Sequence, residues 1–314
     1  MATQFARQIY PSTAARLLLL ILMIACSSQA AAGTLEPYAP DLNWVLDPVG
    51  YVLASAEVPP EANGSPAVQR QAEGIFSVDY LKVIWADAKE VATEPARWDG
   101  DDWRKLGYIS GGLLLTGAFL DKPIRDAAQR HRSESSDRFF RNIEKFGTKQ
   151  YQLPLVAGFY AYGSLADDYE AKTVALDGFS ASILSSLVTS TIKGIAGRAR
   201  PNTGLGPHHF RPLQGDQSFP SGHATGAFAF ASVIAGHYDS PWVATGVYTV
   251  ASLVGVARIH LDAHWTSDVI AGGLIGGLIG HHLVEFNRTL RENTSSLTPT
   301  MGTDGRQLTF SWSF

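Results

Sequence analysis

The chain has 314 residues, of which 45% are hydrophobic and 17% charged, and its formal net charge is −4. This length supplies one large domain or two small ones with a sizeable core, and the charged fraction is lower than in most soluble proteins. The mildly acidic balance, without a basic stripe, argues against a nucleic-acid partner.

The first 32 residues have the pattern of an export signal. Arg7 and Arg16 precede LLLLILMIA, an apolar stretch of nine residues that is too short to span a bilayer. Two cleavage sites fit this pattern: one after Ala32 in QAAAG, and one before Cys26 in MIAC, which resembles a bacterial lipobox with Met in place of the usual Leu. Since Cys26 is the only cysteine, no disulfide is expected in the mature chain. The pattern predicts an exported, periplasm-facing protein that is membrane-associated, lipid-anchored or soluble.

Helix-length apolar segments dominate the middle of the chain. Residues 33–104 are expected to form an N-terminal extension, with a helical pattern near its end that is broken at Pro95. Residues 105–290 are expected to form the main domain, because apolar segments recur there without the alternation of β-strands. These segments are 106–120, 151–166, 174–196, 222–238, 241–257 and 268–284. The sequence thus predicts an all-α fold, a helical bundle of about six core helices, and a solvated polar stretch at 125–147.

The apolar segments are compatible with a membrane bundle and with a tight soluble bundle. Most have roughly 14 to 18 residues, at or below the length that a bilayer core requires. Glycines recur at every fourth position of AGGLIGGLIG, at Gly272, Gly276 and Gly280. This spacing allows another helix to approach closely in either environment.

The tail, residues 291–314, differs from the segments before it. TDGR is a turn signal, and QLTFSWSF alternates polar and apolar residues. The tail therefore predicts a short C-terminal β-hairpin, which we interpret as a packing or docking element.

Two motifs place cations and a histidine at helix ends. Lys193 and Arg200 lie seven residues apart in KGIAGRARP and share a helix face, although a solvated, capped helix end would look the same. In FPSGHATG, Ser221 is the expected N-cap of a helix whose first turn contains Gly222 and His223. The free N–H groups of a helix N-terminus bind anions.

A third motif, ARIHLDAHWTSDVIAGG, pairs a histidine with a carboxylate. Arg258 precedes His264 by six residues, and Asp268 follows His264 by one helical turn. A carboxylate at this spacing can accept a hydrogen bond from one imidazole nitrogen and raise the basicity of the other. By itself, the motif fits equally well an ordinary helix start with a surface histidine.

Taken together, the three motifs predict a phosphate site. Three cations and free amide groups at one point require an anion with several oxygens, and two histidines can supply a nucleophile and a general acid. No metal site is predicted, because the pairs His208–His209 and His281–His282 lack partner carboxylates in the sequence.

These motifs resemble those of the type-2 phosphatidic acid phosphatase and vanadium haloperoxidase superfamily. The pattern Lys-x6-Arg-Pro, Pro-Ser-Gly-His and Arg-x5-His-x3-Asp is present between Lys193 and Asp268. One departure is Ala257, which stands where the family usually has Ser before Arg258.

The resemblance implies a metal-independent phosphoryl transfer that uses no cofactor. His264 would form a phosphohistidine, Asp268 would orient and charge His264, and His223 would protonate the leaving group and then activate water. The resemblance implies the remaining phosphate-binding groups to be Lys193, Arg200, Arg258, Ser221 and Gly222.

The expected substrate is a phosphate monoester or diphosphate. A phosphorylated lipid is preferred, and with it an association of the protein with a membrane. Three alternatives remain open: a vanadium-dependent haloperoxidase, a soluble non-specific acid phosphatase, and an envelope scaffold without activity. The loop 202–219 is expected to cover the site, where His208, His209 and Arg211 are candidate head-group contacts.

Overall fold

A computed structural model describes residues 78–214, 217–295, 300–301 and 308–309. Nine α-helices are present in this part of the chain, which confirms the all-α prediction. They are α1 (Val78–Thr93), α2 (Gly100–Phe119), α3 (Asp121–Arg130), α4 (Glu134–Ile143), α5 (Lys149–Leu165), α6 (Tyr169–Ala196), α7 (Gly222–His237), α8 (Pro241–His260) and α9 (Thr266–Ser295). The predicted export signal, both cleavage sites and most of the extension lie outside the described residues.

Each of the six predicted apolar segments is helical. The helices begin and end within about five residues of the expected positions, except at the start of α2 and at the end of α9, which continues to Ser295 instead of ending near residue 284. That helix begins at Gly100 because the Asp99 side chain accepts hydrogen bonds from the backbone N–H groups of Asp101 and Asp102. The boundary expected at residue 105 therefore falls inside α2, and the division of the chain into domains stays a prediction.

Helix α7 lies at the centre of the bundle, packed against α6, α8 and α9. The glycine stripe of α9 faces α7, because a Cβ atom on any of its three glycines would overlap a carbonyl oxygen of that helix. The pairs are Gly272 with Ser221, Gly276 with Thr225, and Gly280 with Ala229. The predicted close helix approach is therefore present between α9 and α7.

Helices α3 and α4 correct the prediction of a solvated stretch at 125–147. Arg125 holds Asp262 with two hydrogen bonds, from Nε to Oδ1 at 2.6 Å and from Nη2 to Oδ2 at 2.8 Å. Gln129 donates to the carbonyl oxygen of His260 at 3.1 Å. The polar face of this amphipathic stretch therefore contacts the end of α8 and the turn between α8 and α9, rather than water alone.

Three helices in the described part of the chain have the length and apolar composition needed to cross a membrane. These candidate spans are Tyr169–Ala196, Pro241–His260 and Thr266–Thr289. Helix α2 adds a further apolar surface, because it has no buried residue and exposes large side chains such as Tyr108, Leu114 and Phe119. Exposed apolar surface of this extent is typical of contact with lipid or protein.

Two short strands follow the helices. Thr300–Met301 (β1) and Leu308–Thr309 (β2) pair antiparallel, with Thr300 opposite Thr309 and Met301 opposite Leu308. The rest of the tail lies outside the described residues, so a hairpin extending through 291–314 stays a prediction.

Candidate active site

The first motif takes its shape from Gly197, which ends α6. Its φ of +55° is left-handed, and its N–H donates to the carbonyl oxygen of Lys193 at 3.0 Å. A Cβ atom here would overlap the carbonyl of Arg211, so the position requires glycine. The helix thus stops one turn after Lys193, and Arg198 and Arg200 follow it in extended chain. The prediction that Lys193 and Arg200 share one helix face is therefore wrong, because Gly197 ends the helix between them.

The loop after this motif returns beside it. The N–H of Ala199 donates to the carbonyl oxygen of His209 at 2.9 Å, and the N–H of Arg211 donates to that of Gly197 at 2.7 Å. Further along, the carbonyl oxygen of Gln217 accepts a hydrogen bond from Lys193 Nζ at 2.7 Å. The loop therefore contacts the site, whereas roles of His208, His209 and Arg211 as head-group contacts stay predictions.

The second motif forms the N-terminus of α7, as predicted. The buried Ser221 is the N-cap, and its Oγ accepts from the N–H of Ala224 at 3.5 Å. The backbone N–H of Ser221 donates to the carbonyl oxygen of Asp268 at 2.9 Å, which joins this motif to the third. The Lys193 side chain passes beside Gly222, since a Cβ there would lie 3.9 Å from Lys193 Cε.

In the third motif, His264 and Asp268 are neighbours without a hydrogen bond between them. His264 Nδ1 lies 3.7 Å from Asp268 Oδ2, beyond hydrogen-bonding distance. The Asp268 carboxylate is instead bonded to other donors: Arg198 Nη1 at 2.6 Å, Ser218 Oγ at 2.5 Å and the N–H of Trp265 at 2.9 Å. The bond to Trp265 also caps α9.

Arg258 combines a structural contact with its predicted place in the site. Its carbonyl oxygen accepts from the N–H groups of Ala263 and His264, at 3.0 and 3.2 Å, and so shapes the turn that carries His264. Its side chain forms an ion pair with Glu144, which lies in the 3₁₀ turn Glu144–Gly147. Arg258 is thus partly neutralised by a residue for which the sequence has no signal.

The electrostatics of the two histidines show that the motifs share one environment. Burial lowers the pKa of His223 to about 4, with further contributions from Lys193 and Arg200. Burial also lowers the pKa of His264 well below its ordinary value, and so do the nearby Lys193, Arg200 and Arg258. Both imidazoles are therefore neutral at pH 7 when no anion is bound.

Two of the cations differ from Arg258, which is paired with Glu144. Among the described residues, neither Lys193 nor Arg200 forms an ion pair with a carboxylate. They lie by the N-terminus of α7, which adds its own partial positive charge. Uncompensated positive charge at a helix N-terminus suits an oxyanion that carries two negative charges.

Sequence reasoning missed four residues that support this site: Asp121, Glu144, Arg198 and Ser218. Arg198 had a usable signal, because it stands between Lys193 and Arg200 in KGIAGRARP. Asp121 and Glu144 lie far from the three motifs in the chain, and no regular spacing connects these two residues to the motifs.

A group with metal-ligand character lies outside the site. Atoms of Glu90, Glu94 and His282 lie within 4.8 Å of one another, which corrects the expectation that His282 has no carboxylate nearby. Arg97 is hydrogen-bonded to both glutamates and supplies a positive charge there.

We expect anion binding to be coupled to proton uptake by His223. The free protein has a His223 pKa of about 4, and a bound dianion raises this pKa, because it favours the imidazolium. Between these two pKa values the complex holds more protons than the free protein, so affinity falls as pH rises. Calorimetric titration with tungstate from pH 6 to 8 tests this, because tungstate stays a dianion there. His223→Gln should reduce the proton uptake, and an unchanged pH dependence in that variant would contradict the assignment.

Comparisons with known proteins show which family this chain resembles. The model of the PAP2 superfamily matches residues 175–292, which include every predicted site residue. A lipid A 1-phosphatase of Rhizobium etli is 35% identical over 202 residues, covering 58% of this chain and 82% of that protein. A lipid A 1-phosphatase of Porphyromonas gingivalis is 42% identical over 81 residues, covering 24% of this chain and only 18% of that protein. Phosphatidylglycerophosphatase B of Bacillus subtilis is 28% identical over 188 residues, covering 54% of this chain and 85% of that protein.

Proposed function

Since the chain belongs to the PAP2 superfamily and is a phosphoric ester hydrolase, we propose that it removes phosphate from a membrane lipid through a phosphohistidine intermediate, without a metal ion. One observation carries this proposal: the buried His264 and the half-buried His223 lie beside Lys193 and Arg200, cations that have no carboxylate partner in the described chain. This arrangement supplies a nucleophile, a proton donor and an anion site in one place.

The proposed reaction has two steps at phosphorus. In the first, a nitrogen of His264 forms a bond to phosphorus while the bond to the leaving oxygen breaks, and His223 gives that oxygen a proton. In the second, His223 takes a proton from water as the water oxygen displaces His264, which releases phosphate. Lys193 and Arg200 neutralise the oxygens of the transferred group in both steps.

Asp268 would act mainly through its charge. At 3.7 Å from His264 Nδ1, its carboxylate stabilises the positive charge that develops on the imidazole as the nitrogen bonds to phosphorus. A small rotation of either side chain would also close the gap to a hydrogen bond. In both cases, the carboxylate favours the phosphohistidine over the free imidazole.

A lipid substrate is supported by the relatives and by the surface of the bundle. The names of the relatives refer to lipid A and phosphatidylglycerophosphate. The three candidate spans and the exposed apolar side chains of α2 would place the bundle in a bilayer, where a lipid head group can reach the site. We propose a glycolipid phosphomonoester of the lipid A class as the first candidate, hydrolysed on the exported side of the membrane.

The test is phosphate release by the full chain in detergent, with EDTA present. The substrates are lipid A, phosphatidylglycerophosphate, undecaprenyl diphosphate and p-nitrophenyl phosphate. We expect release to survive EDTA, to be inhibited by vanadate and to be fastest with lipid A. Release that requires a divalent metal would overturn the mechanism, and a preference for p-nitrophenyl phosphate over all lipids would overturn the substrate class.

A further inference from the structure

Arg198 lies at the centre of a buried charge network beneath the site. Its side chain is only 3% exposed, and each of its nitrogens donates hydrogen bonds. Nη1 bonds Asp268 Oδ1 at 2.6 Å and Ser267 Oγ at 2.7 Å, while Nη2 bonds Asp121 Oδ2 at 2.6 Å. Nε and Nη2 also bond the carbonyl oxygen of Pro207, at 2.9 and 2.7 Å. The guanidinium is therefore shared between two carboxylates from different helices.

Asp121 connects the same network to the start of α9. It is the first residue of α3 and is 1% exposed. Its Oδ1 accepts from the N–H of Ser267 at 2.8 Å, and its Oδ2 accepts from Ser267 Oγ at 2.7 Å. Asp121 thus fixes the helix turn that lies between His264 and Asp268.

The charges of the network do not cancel. One guanidinium and the two carboxylates sum to −1 in a region closed to water, where interactions between charges are strong. Because the positive charge of Arg198 is shared between Asp121 and Asp268, the negative charge of Asp268 that faces His264 is only partly compensated. Without Asp121, the whole guanidinium charge would act on Asp268 and weaken the negative potential at His264.

We propose that Arg198 and Asp121 are positioning residues, which together set the orientation of Asp268 and the negative charge that it presents to His264. The proposal rests on the proposed role of His264 as nucleophile. Neither residue is expected to touch the substrate, because both are buried and their polar atoms are bonded within the protein.

The pH dependence of the reaction separates this role from simple structural support. A low-pH limb of kcat/KM arises where His264 becomes protonated and can no longer attack. Charged and titratable groups on every neighbouring element act on this imidazole: Lys193 of α6, Arg198 and Arg200 of the following loop, His223 of α7, Arg258 of α8 with its partner Glu144, Asp268 of α9 and Asp121 of α3. Substitutions at Asp121 and Arg198 change the network charge and leave the other groups in place.

Opposite shifts are expected from the two single variants. Asp121→Asn removes a negative charge, so the limb moves to lower pH, by about 0.5 to 1 unit. Arg198→Gln removes a positive charge, so the limb moves to higher pH by a similar amount. The double variant has the original network charge of −1, and its limb should return close to that of the unaltered protein while kcat stays low.

Asp177→Asn is the matched control. Asp177 is also buried and bonded, to His237 Nε2 at 2.8 Å and Asn287 Nδ2 at 3.1 Å. It lies 16 residues before Lys193 on α6, about 24 Å along the helix, so the limb should not move. Arg198→Lys tests geometry separately, because lysine keeps the positive charge but cannot donate the paired hydrogen bonds of a guanidinium. This variant should lower kcat without moving the low-pH limb of kcat/KM.

The outcomes distinguish this inference from the proposed function. Loss of activity without a shift in either single variant, or shifts in the same direction, would overturn the inference alone. If Arg198→Gln does not fold, the difference between Asp121→Asn and the double variant carries the same test. If no phosphohistidine forms on the unaltered protein during the reaction, that result would instead overturn the proposed function.

Discussion

Replacement of His264 by asparagine is expected to lower phosphate release by about 10⁴-fold or more, because it removes the proposed nucleophile. Asparagine is close to histidine in size and polar, so the buried position, where His264 is 2% exposed, stays filled. A more direct measurement is the detection of the covalent phosphoenzyme. Brief reaction with radiolabelled lipid should leave an acid-labile, alkali-stable phosphate on the unaltered protein and none on the variant.

His237→Asn is the matched control for this experiment. His237 ends α7, the helix whose first turn holds His223, and its Nε2 lies 2.8 Å from Asp177 Oδ2. This variant should keep the labelled phosphoenzyme even if its stability falls. Label that persists in His264→Asn would show that another residue, with His223 the first to test, receives the phosphate.

Substitution of Gly276 by alanine is expected to lower the stability of the helical bundle strongly. The added Cβ would overlap the carbonyl oxygen of Thr225, a backbone atom that moves only if α7 and α9 separate. Overpacking of this kind costs about 1–3 kcal/mol, and more where the obstacle is backbone. Thermal unfolding in detergent should show a clear decrease in Tm and loss of activity, because α7 and α9 carry His223 and Asp268.

Gly277→Ala is the control on the same helix. Its Cβ would lie 3.8 Å from Ser232 Oγ, an ordinary contact, and alanine favours helix. We expect an unchanged or slightly higher Tm for this variant. Equal losses at both positions would mean that α9 is sensitive to any added methyl group, and that the stripe has no special contact with α7.

The sequence predicted two parts of the site that depend on local spacing. Ser221 as an N-cap and the proximity of His264 to Asp268 follow from the geometry of one helix turn, and the structure has both. Which donors bind Asp268 could not be predicted, because Arg198 precedes it by 70 residues and only packing brings them together.

The polar stretch after α2 shows a second kind of difficulty. An amphipathic helix with a charged face has the same sequence pattern whether that face binds water or other polar groups of the protein. Arg125 pairs with Asp262, so what the pattern indicates as a solvated face is partly an internal contact. Only the partner decides between these two cases, and it lies 137 residues away.

The contacts of α3 follow the segment that carries the proposed nucleophile. Asp121, Arg125 and Gln129 are spaced four residues apart, and they bind Ser267, Asp262 and His260, respectively. The chain positions increase along α3 as they decrease along that segment, so the helix lies antiparallel to it over about 12 Å. A single residue inserted within α3 would rotate the positions after it by about 100° and break this match. The length of α3, and not only its composition, therefore sets where His264 stands.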